Sequence, residues 1–194
     1  MKKHLMSLAV FTFGIFLIGI LVTPLNNFIS ASPIFGYKMI GGVTDRQYHI
    51  TSSAQMYYTE IGHAMYDWNN SVGAPWVITP IWFYATNQIA ASEIDFYTNT
   101  QYFSTLGITY HYYQATRIYP WNGNWAWARI YMNNAGSIKN LTWTGRKSVA
   151  AHEIGHAFGL AHYSNTLSIM CQLEYGRQVD KATQVDLLQI SSLY

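Results

Sequence analysis

Residues 152–162 read HEIGHAFGLAH, and the spacing of the histidines in this stretch decides the fold. His152 and His156 are four residues apart, so on a helix they lie one turn apart on the same face. His162 would point away from that face if the helix continued to it. Gly159 can adopt a left-handed backbone and end the helix, which would let His162 turn back toward the other two histidines.

Three imidazoles grouped in this way are ligands that suit Zn²⁺, and they leave the fourth tetrahedral position open for water. An open position is typical of a catalytic zinc, which lowers the pKa of its water toward about 7 and polarises a carbonyl group. Glu153 follows the first histidine and is the candidate general base for that water. The sequence therefore predicts one catalytic Zn²⁺ bound by His152, His156 and His162.

A short HExxH pattern also occurs on ordinary solvated helix faces. The full string is expected by chance only on the order of 10⁻⁵ times in a chain of this composition. With these residues, the chain resembles the metzincin clan of metallopeptidases, whose motif HExxHxxGxxH is followed by a tight turn with a methionine beneath the metal. Residues 168–171 (SIMC) are similar to this Met-turn and place Met170 eight residues after His162.

Within the clan, the chain is most similar to the matrixins, the branch that resembles matrix metalloproteinases. Residues 184–194 (QVDLLQISSLY) are similar to the matrixin closing helix, QDDIxGIQxLYG. The resemblance implies an α+β fold: a metzincin-type zincin domain with a twisted mixed β-sheet, a backing helix, an active-site helix and a C-terminal helix. It also implies a metalloendopeptidase that hydrolyses internal bonds of a protein or peptide substrate.

The resemblance makes two further suggestions about the cleft. The strand at 108–113 would be the edge strand over the active site, where an extended substrate could add to the sheet; an interior strand is the alternative. In the edge arrangement, His111 would lie near the cleft but outside the metal shell. Residues 171–181 would form the loop beside the S1′ pocket, with Tyr175 lining it.

Several differences limit what the resemblance transfers. The closing helix has Val185 where matrixins carry Asp, so a salt bridge from that Asp is not expected. Gln172 stands where astacins and serralysins place an additional tyrosine ligand. The middle of the chain offers only His111 and Asp95 toward a second, structural zinc, which we do not expect. The single cysteine, Cys171, lies inside the Met-turn, so the propeptide cysteine of many matrixins has no counterpart.

The N-terminus has the features of a secretory signal peptide over residues 1–31, followed by a catalytic domain over 32–194. Two lysines precede an uncharged segment at 5–22, and small residues follow, so cleavage is expected after Ala31. The alternative is an uncleaved membrane anchor, because that segment would form roughly 27 Å of helix, close to a hydrocarbon core of about 30 Å. We expect a secreted, extracellular monomer that contacts a membrane only if the segment stays uncleaved.

Composition excludes other classes of protein. The charged residues number 11 basic and nine acidic with no basic run, so nucleic acid binding has no electrostatic support. One cysteine excludes an intramolecular disulfide. The alternative function is an exported zinc-binding surface or adhesion module without catalysis, which would use the aromatic cluster at Trp121, Trp125 and Trp127. The presence of Glu153 argues against that alternative.

Local patterns predict the remaining elements. Apolar residues from Met56 to Trp68 recur at three- and four-residue spacing, which predicts a helix. The zinc helix is predicted to begin near Arg146 with Thr144 as its N-cap. Runs of β-branched and aromatic residues predict strands at 48–51, 76–79, 81–85, 94–98, 108–113 and 128–132.

Overall fold

The structure is a computed structural model that describes residues 33–100 and 105–194. The predicted signal peptide at 1–31 lies outside these residues and stays a prediction. Within the described ranges, none of the helices combines the length and the apolar character needed to cross a membrane.

Six strands and three α-helices make up the described chain. The strands are β1 (Arg46–Ile50), β2 (Phe83–Ala85), β3 (Ile94–Asn99), β4 (Gly107–Tyr113), β5 (Thr116–Ile118) and β6 (Trp127–Asn133). The helices are α1 (Tyr58–Asn69), α2 (Trp143–Ala157) and α3 (Gln184–Leu193). Short 3₁₀ turns lie at Ser52–Tyr57, Ile89–Ala91, Gly136–Asn140 and Leu173–Tyr175.

The strands form one mixed sheet in the order β2-β1-β3-β6-β4-β5. The first four strands run parallel, whereas β4 is antiparallel to both of its neighbours. Helix α2 packs against β4 and β6, and α1 packs against α2. A mixed sheet with a backing helix, a helix that carries the histidine motif and a C-terminal helix confirms the predicted α+β fold class.

Buried and partly exposed side chains alternate along β6, so one face of the sheet packs on the core and the other is nearer to solvent. Ala128, Ile130 and Met132 are fully buried, whereas Arg129 and the residues at 127 and 131 are partly exposed on the other face. The first helix buries its apolar stripe in the same core, and its Trp68 donates from Nε1 to the carbonyl oxygen of Ala151 at 3.0 Å. This indole bond fixes α1 against α2 at the residue directly before the histidine motif.

One predicted strand is absent and one strand was not predicted, both for local reasons. Residues 76–79 are not a strand: Trp76 is 71% exposed and Ile78 is 88% exposed, in a segment flanked by Pro75 and Pro80. Proline cannot donate to a sheet ladder, which disfavours a strand between the two. Strand β5 was not predicted because Thr116–Ile118 is too short to show alternation.

A buried ion pair joins the helices. The ammonium of Lys147 on α2 lies 2.6 Å from a carboxylate oxygen of Asp67 on α1 and 2.7 Å from one of Asp180. The Lys147 side chain is only 6% exposed. The preceding residue, Arg146, pairs with Glu60 at 2.8 Å. The start of α2 is therefore tied to α1 by charge as well as by apolar packing.

The N-cap prediction for α2 is wrong by two residues. The helix begins at Trp143, and the side chain of Thr142 accepts a hydrogen bond from the Gly145 backbone amide at 3.2 Å. Both threonines fit the sequence rule for a cap, but Thr144 lies inside the first turn.

We expect Thr142→Ala to lower the free energy of unfolding by about 1 kcal/mol, because it leaves that amide without its acceptor. Urea denaturation followed by circular dichroism measures the change. Thr144→Ala is the matched control and should change stability by less than about 0.5 kcal/mol. A larger loss in the control than in Thr142→Ala would contradict the assignment of the cap.

Candidate metal centre

Helix α2 and the turn after it bring the three predicted ligand histidines together. His152 and His156 lie one turn apart on α2, which ends at Ala157. Gly159 then adopts a φ of 106°, a backbone conformation that L side chains rarely take, and the chain reverses to His162. One nitrogen from each of the three rings lies within 4.8 Å of the others. Among residues 33–100 and 105–194, no other group of three His, Cys, Asp or Glu side chains is this close.

Backbone carbonyl groups orient two of the rings. Nδ1–H of His152 donates to the carbonyl oxygen of Ile169 at 2.8 Å, and Nδ1–H of His156 donates to that of Leu160 at 2.8 Å. Both rings therefore present Nε2 to the centre, and Nε2 of His156 lies 3.1 Å from Nε2 of His162. Fixing one ring nitrogen with a carbonyl acceptor is how proteins set the tautomer of a metal-binding histidine.

Burial favours the neutral form of these rings. It lowers the pKa of His156 to about 3 and holds the pKa of His152 well below its usual range, and it lowers the pKa of His162 less strongly. Neutral imidazoles are the form that binds metal. The donor set, its orientation and its protonation all fit one tetrahedral Zn²⁺ with a fourth position left for water.

Glu153 lies beside the triad and is held by the neighbouring strand. It is 5% exposed, and its Oε2 accepts a hydrogen bond from the hydroxyl of Thr109 on β4 at 2.7 Å. Burial raises the pKa of Glu153 to about 7. A Cβ at Gly107 would come within 2.7 Å of the Glu153 side chain, so glycine at this point of β4 leaves room for the carboxylate.

The triad and Glu153 face a cavity of about 540 Å³ that runs along α2. Its lining includes Phe35, Trp121, Val149, Leu173 and Arg177. Leu106 and the first half of β4 also line it. All four predicted site residues therefore share one groove with this strand.

The first half of strand β4 borders this groove as the edge of the sheet. The second half of β4 pairs with β5 through His111–Tyr113, whereas residues 107–109 pair with β6 alone among the described strands. The half of β4 beside Glu153 is thus an edge strand, as predicted from the resemblance. The other half lies between β5 and β6, which is the interior arrangement given as the alternative. An extended peptide could add to the open half through main-chain hydrogen bonds.

Comparison with known proteins identifies the family. The family model for matrixins, peptidase family M10, matches residues 47–194, which is more than half of the chain. The chain belongs to the matrixin family. Matrixins are metalloendopeptidases, so the predicted family and enzyme class are confirmed. A search of curated proteins finds no match.

The solved structures to which the chain is similar include two proteases. Myroilysin has a TM-score of 0.42 and 16% identity, with 66% of this chain and 54% of myroilysin covered. High choriolytic enzyme 1 (HCE-1), a hatching enzyme zinc-protease from the medaka fish Oryzias latipes, has a TM-score of 0.46 and 17% identity, with 81% of this chain and 93% of the enzyme covered. The present matrixin spans about half the length of myroilysin.

The closing helix of this matrixin holds the Met-turn from below. The carboxylate of Asp186 accepts hydrogen bonds from the hydroxyl of Ser168 and from the backbone amide of Ile169 at 3.0 Å. Met170 is fully buried, and a Cβ at Gly155 of α2 would come within 2.4 Å of its sulfur. Val185, which replaces the family's Asp, is buried instead of forming an ion pair.

Of the other residues predicted for this matrixin, His111 lines the cavity as expected and Tyr175 does not. His111 is buried outside the triad, and its Nε2 lies 2.9 Å from the carbonyl oxygen of His156. Tyr175 does not line the cavity, and it is 65% exposed, so that prediction is wrong. Sequence analysis missed Thr109 and Arg177, which reach the site from distant segments and belong to no motif.

Proposed function

We propose that this matrixin is an exported, zinc-dependent endopeptidase that hydrolyses internal peptide bonds of proteins. His152, His156 and His162 would be the ligands of one Zn²⁺, and Glu153 would be the general base. The observation that carries the proposal is the placement of the Glu153 carboxyl group and three imidazoles, two of them oriented by backbone carbonyl groups, on one wall of a groove. The opposite wall is the half of β4 that has no second partner strand among the described residues.

The open half of β4 would bind the substrate. Backbone groups of residues 107–109 can form main-chain hydrogen bonds to an extended peptide, which would hold its scissile bond over α2. Zinc, when bound, would polarise the scissile carbonyl group and make a water molecule nucleophilic at neutral pH. The protein's contribution is to fix the positions of the reacting groups before reaction.

Glu153 would move the proton. The hydroxyl of Thr109 donates to Oε2 of Glu153 at 2.7 Å, and this contact restrains the carboxylate beside the triad. Its other oxygen, Oε1, can then accept a proton from the attacking water and pass it to the leaving amine. Low exposure of Glu153 limits exchange of that proton with bulk solvent.

Export is proposed from the N-terminal sequence. Lys2 and Lys3, the apolar segment at 5–22 and the small residues near Ala31 support a cleaved signal peptide. Expression of the full chain in a secreting host, followed by N-terminal sequencing of the protein in the medium, tests the cleavage site. Protein that stays in the membrane fraction with an intact N-terminus would instead support the anchor.

Removal of the metal tests the proposed activity. We expect the purified protein to contain about one zinc per chain and to cleave casein. Treatment with 1,10-phenanthroline should abolish cleavage, and an excess of Zn²⁺ should restore it, because the three neutral imidazoles are retained without the ion. Elemental analysis and a gel assay measure both quantities. Bound zinc without cleavage of any protein substrate would support the non-catalytic binding module instead.

A further inference from the structure

The carbonyl oxygen of Ile169 in the Met-turn accepts hydrogen bonds from two side chains. Nδ1–H of His152 donates to it at 2.8 Å, and Nη1 of Arg177 donates to it at 3.0 Å. A carbonyl oxygen has two lone pairs, so it can accept both donors at once. The acceptor that orients the first histidine of the motif is therefore itself held by an arginine.

Arg177 also contacts the segments on both sides of this bond. The same Nη1 donates to the carbonyl oxygen of Cys171 at 3.2 Å, so one nitrogen bridges the carbonyl groups that flank Met170. Nη2 donates to the hydroxyl of Ser148 at 2.9 Å. Ser148 lies four residues before His152, so the two side chains are one turn apart on the same face of α2. The guanidinium thus joins the Met-turn to the helix beside His152.

The backbone of Ile169 is held from two sides by side chains of opposite charge. Its amide donates to the carboxylate of Asp186 at 3.0 Å, and its carbonyl oxygen accepts from Arg177. Asp186 belongs to α3, whereas Arg177 belongs to the loop that follows the Met-turn. Because both backbone groups of Ile169 are held, the oxygen that accepts from His152 is fixed in position.

Arg177 is charged where it makes these contacts. Burial lowers the pKa of Arg177 to about 10, so the side chain is a cation at neutral pH, and the nearby carboxylates of Glu153 and Asp186 favour that charged form. A charged donor forms a shorter and stronger hydrogen bond than a neutral donor. The planar guanidinium also presents its donors in a rigid fork, which lets one side chain hold three acceptors in fixed directions.

We propose that Arg177 is a positioning residue for the metal centre, which fixes the His152 ring through the carbonyl oxygen of Ile169. The inference rests on the proposed zinc function and gives a role in it to a residue outside the histidine motif. The competing role is stabilisation of the Met-turn alone. That role would lower the free energy of unfolding but would leave the affinity of the folded protein for zinc unchanged.

Zinc affinity separates the two roles. Arg177→Met keeps the aliphatic stem and removes every donor, and competition with a chromogenic chelator measures the Kd of the purified protein for Zn²⁺. We expect this Kd to rise about tenfold, because the His152 ring is no longer held in the direction that the metal requires. The visible absorption spectrum of the Co²⁺-substituted protein should change as well, since it depends on the arrangement of the ligands.

Two further variants identify the cause. Arg177→Lys keeps the charge but lacks the planar fork, so its Kd should lie between those of the wild type and Arg177→Met. Arg146→Met is the matched control, because Arg146 donates to Glu60 and to the carbonyl oxygen of Leu141 at the start of α2, away from the Met-turn. Urea denaturation of the zinc-free protein should show a loss of stability in this control, whereas its Kd should stay within about twofold of the wild type.

The outcomes are distinct. An unchanged or lower Kd in Arg177→Met would overturn the inference, because the guanidinium would then be dispensable for zinc binding or would oppose it by repulsion. An equal rise in Arg146→Met would also overturn it, since affinity would then follow overall stability. If Arg177→Met does not fold, Arg177→Lys decides, and a wild-type Kd in that variant would overturn the inference. Wild-type protein that binds zinc but cleaves no substrate would reject the endopeptidase function alone, whereas wild-type protein without zinc affinity would reject both.

Discussion

Replacement of Glu153 by glutamine is expected to reduce kcat/KM for peptide hydrolysis by a factor of about 10² to 10⁴ while the protein keeps its zinc. Glutamine has the same shape, and its amide oxygen can still accept the hydrogen bond from Thr109. It cannot accept a proton from water, so the loss isolates proton transfer from packing. Initial rates on a quenched fluorescent peptide, with elemental analysis of the same sample, measure both properties.

Thr109→Val is the companion variant for this experiment. It removes the hydroxyl that restrains the Glu153 carboxylate but leaves the carboxylate itself. We expect a smaller loss, about tenfold, because the base is present but less well positioned. Full activity of Glu153→Gln with zinc bound would reject Glu153 as the base. Loss of zinc from Glu153→Gln would instead assign the residue a role in assembling the centre.

Replacement of Lys147 by methionine is expected to lower the free energy of unfolding by about 3–5 kcal/mol. The change keeps the aliphatic volume but leaves the carboxylate of Asp67, only 11% exposed, without its counter-charge. Asp180 loses its partner as well, but it is one-third exposed and can be solvated. Urea denaturation of the zinc-free protein measures the change without a contribution from metal binding.

Two further variants identify the cause of that loss. Lys181→Met removes a partly exposed lysine that lies 3.8 Å from Asp180, and it should cost less than about 1 kcal/mol. Adding Asp67→Asn to Lys147→Met should recover part of the lost stability, because the stranded charge is then gone. If the double variant is no more stable than the single variant, the cost of Lys147→Met comes from packing rather than from an unpaired carboxylate.

The features that could be predicted from sequence are those fixed by local geometry. The four-residue spacing of His152 and His156 requires only a helical period, and the return of His162 requires only a residue that tolerates a positive φ, which Gly159 supplies. The Met-turn is predicted by resemblance to the metzincin clan, and the closing helix by resemblance to the matrixins. All of these lie within residues 152–194, where the site is nearly continuous in the chain.

The features that could not be predicted depend on contacts between distant segments. Thr109 reaches Glu153 from a strand more than forty residues earlier in the chain, and nothing near Thr109 marks it as a partner. Arg177 faces the groove because Gly176 and the backbone of the Met-turn direct it there, whereas Tyr175, the residue chosen from sequence, points to solvent. The choice between Thr142 and Thr144 as N-cap also depended on tertiary structure, because both satisfy the local rule.

The position of Asp186 in the chain affects the order in which the site can fold during synthesis. The carboxylate that fastens the Met-turn belongs to α3, which follows every other part of the centre in the chain. During synthesis, all three histidines are therefore made before Asp186, the residue that holds the Met-turn in place. The centre can therefore be completed only after α3 has been synthesised, and a chain shortened before α3 would carry all three histidines without the contact that secures the Met-turn.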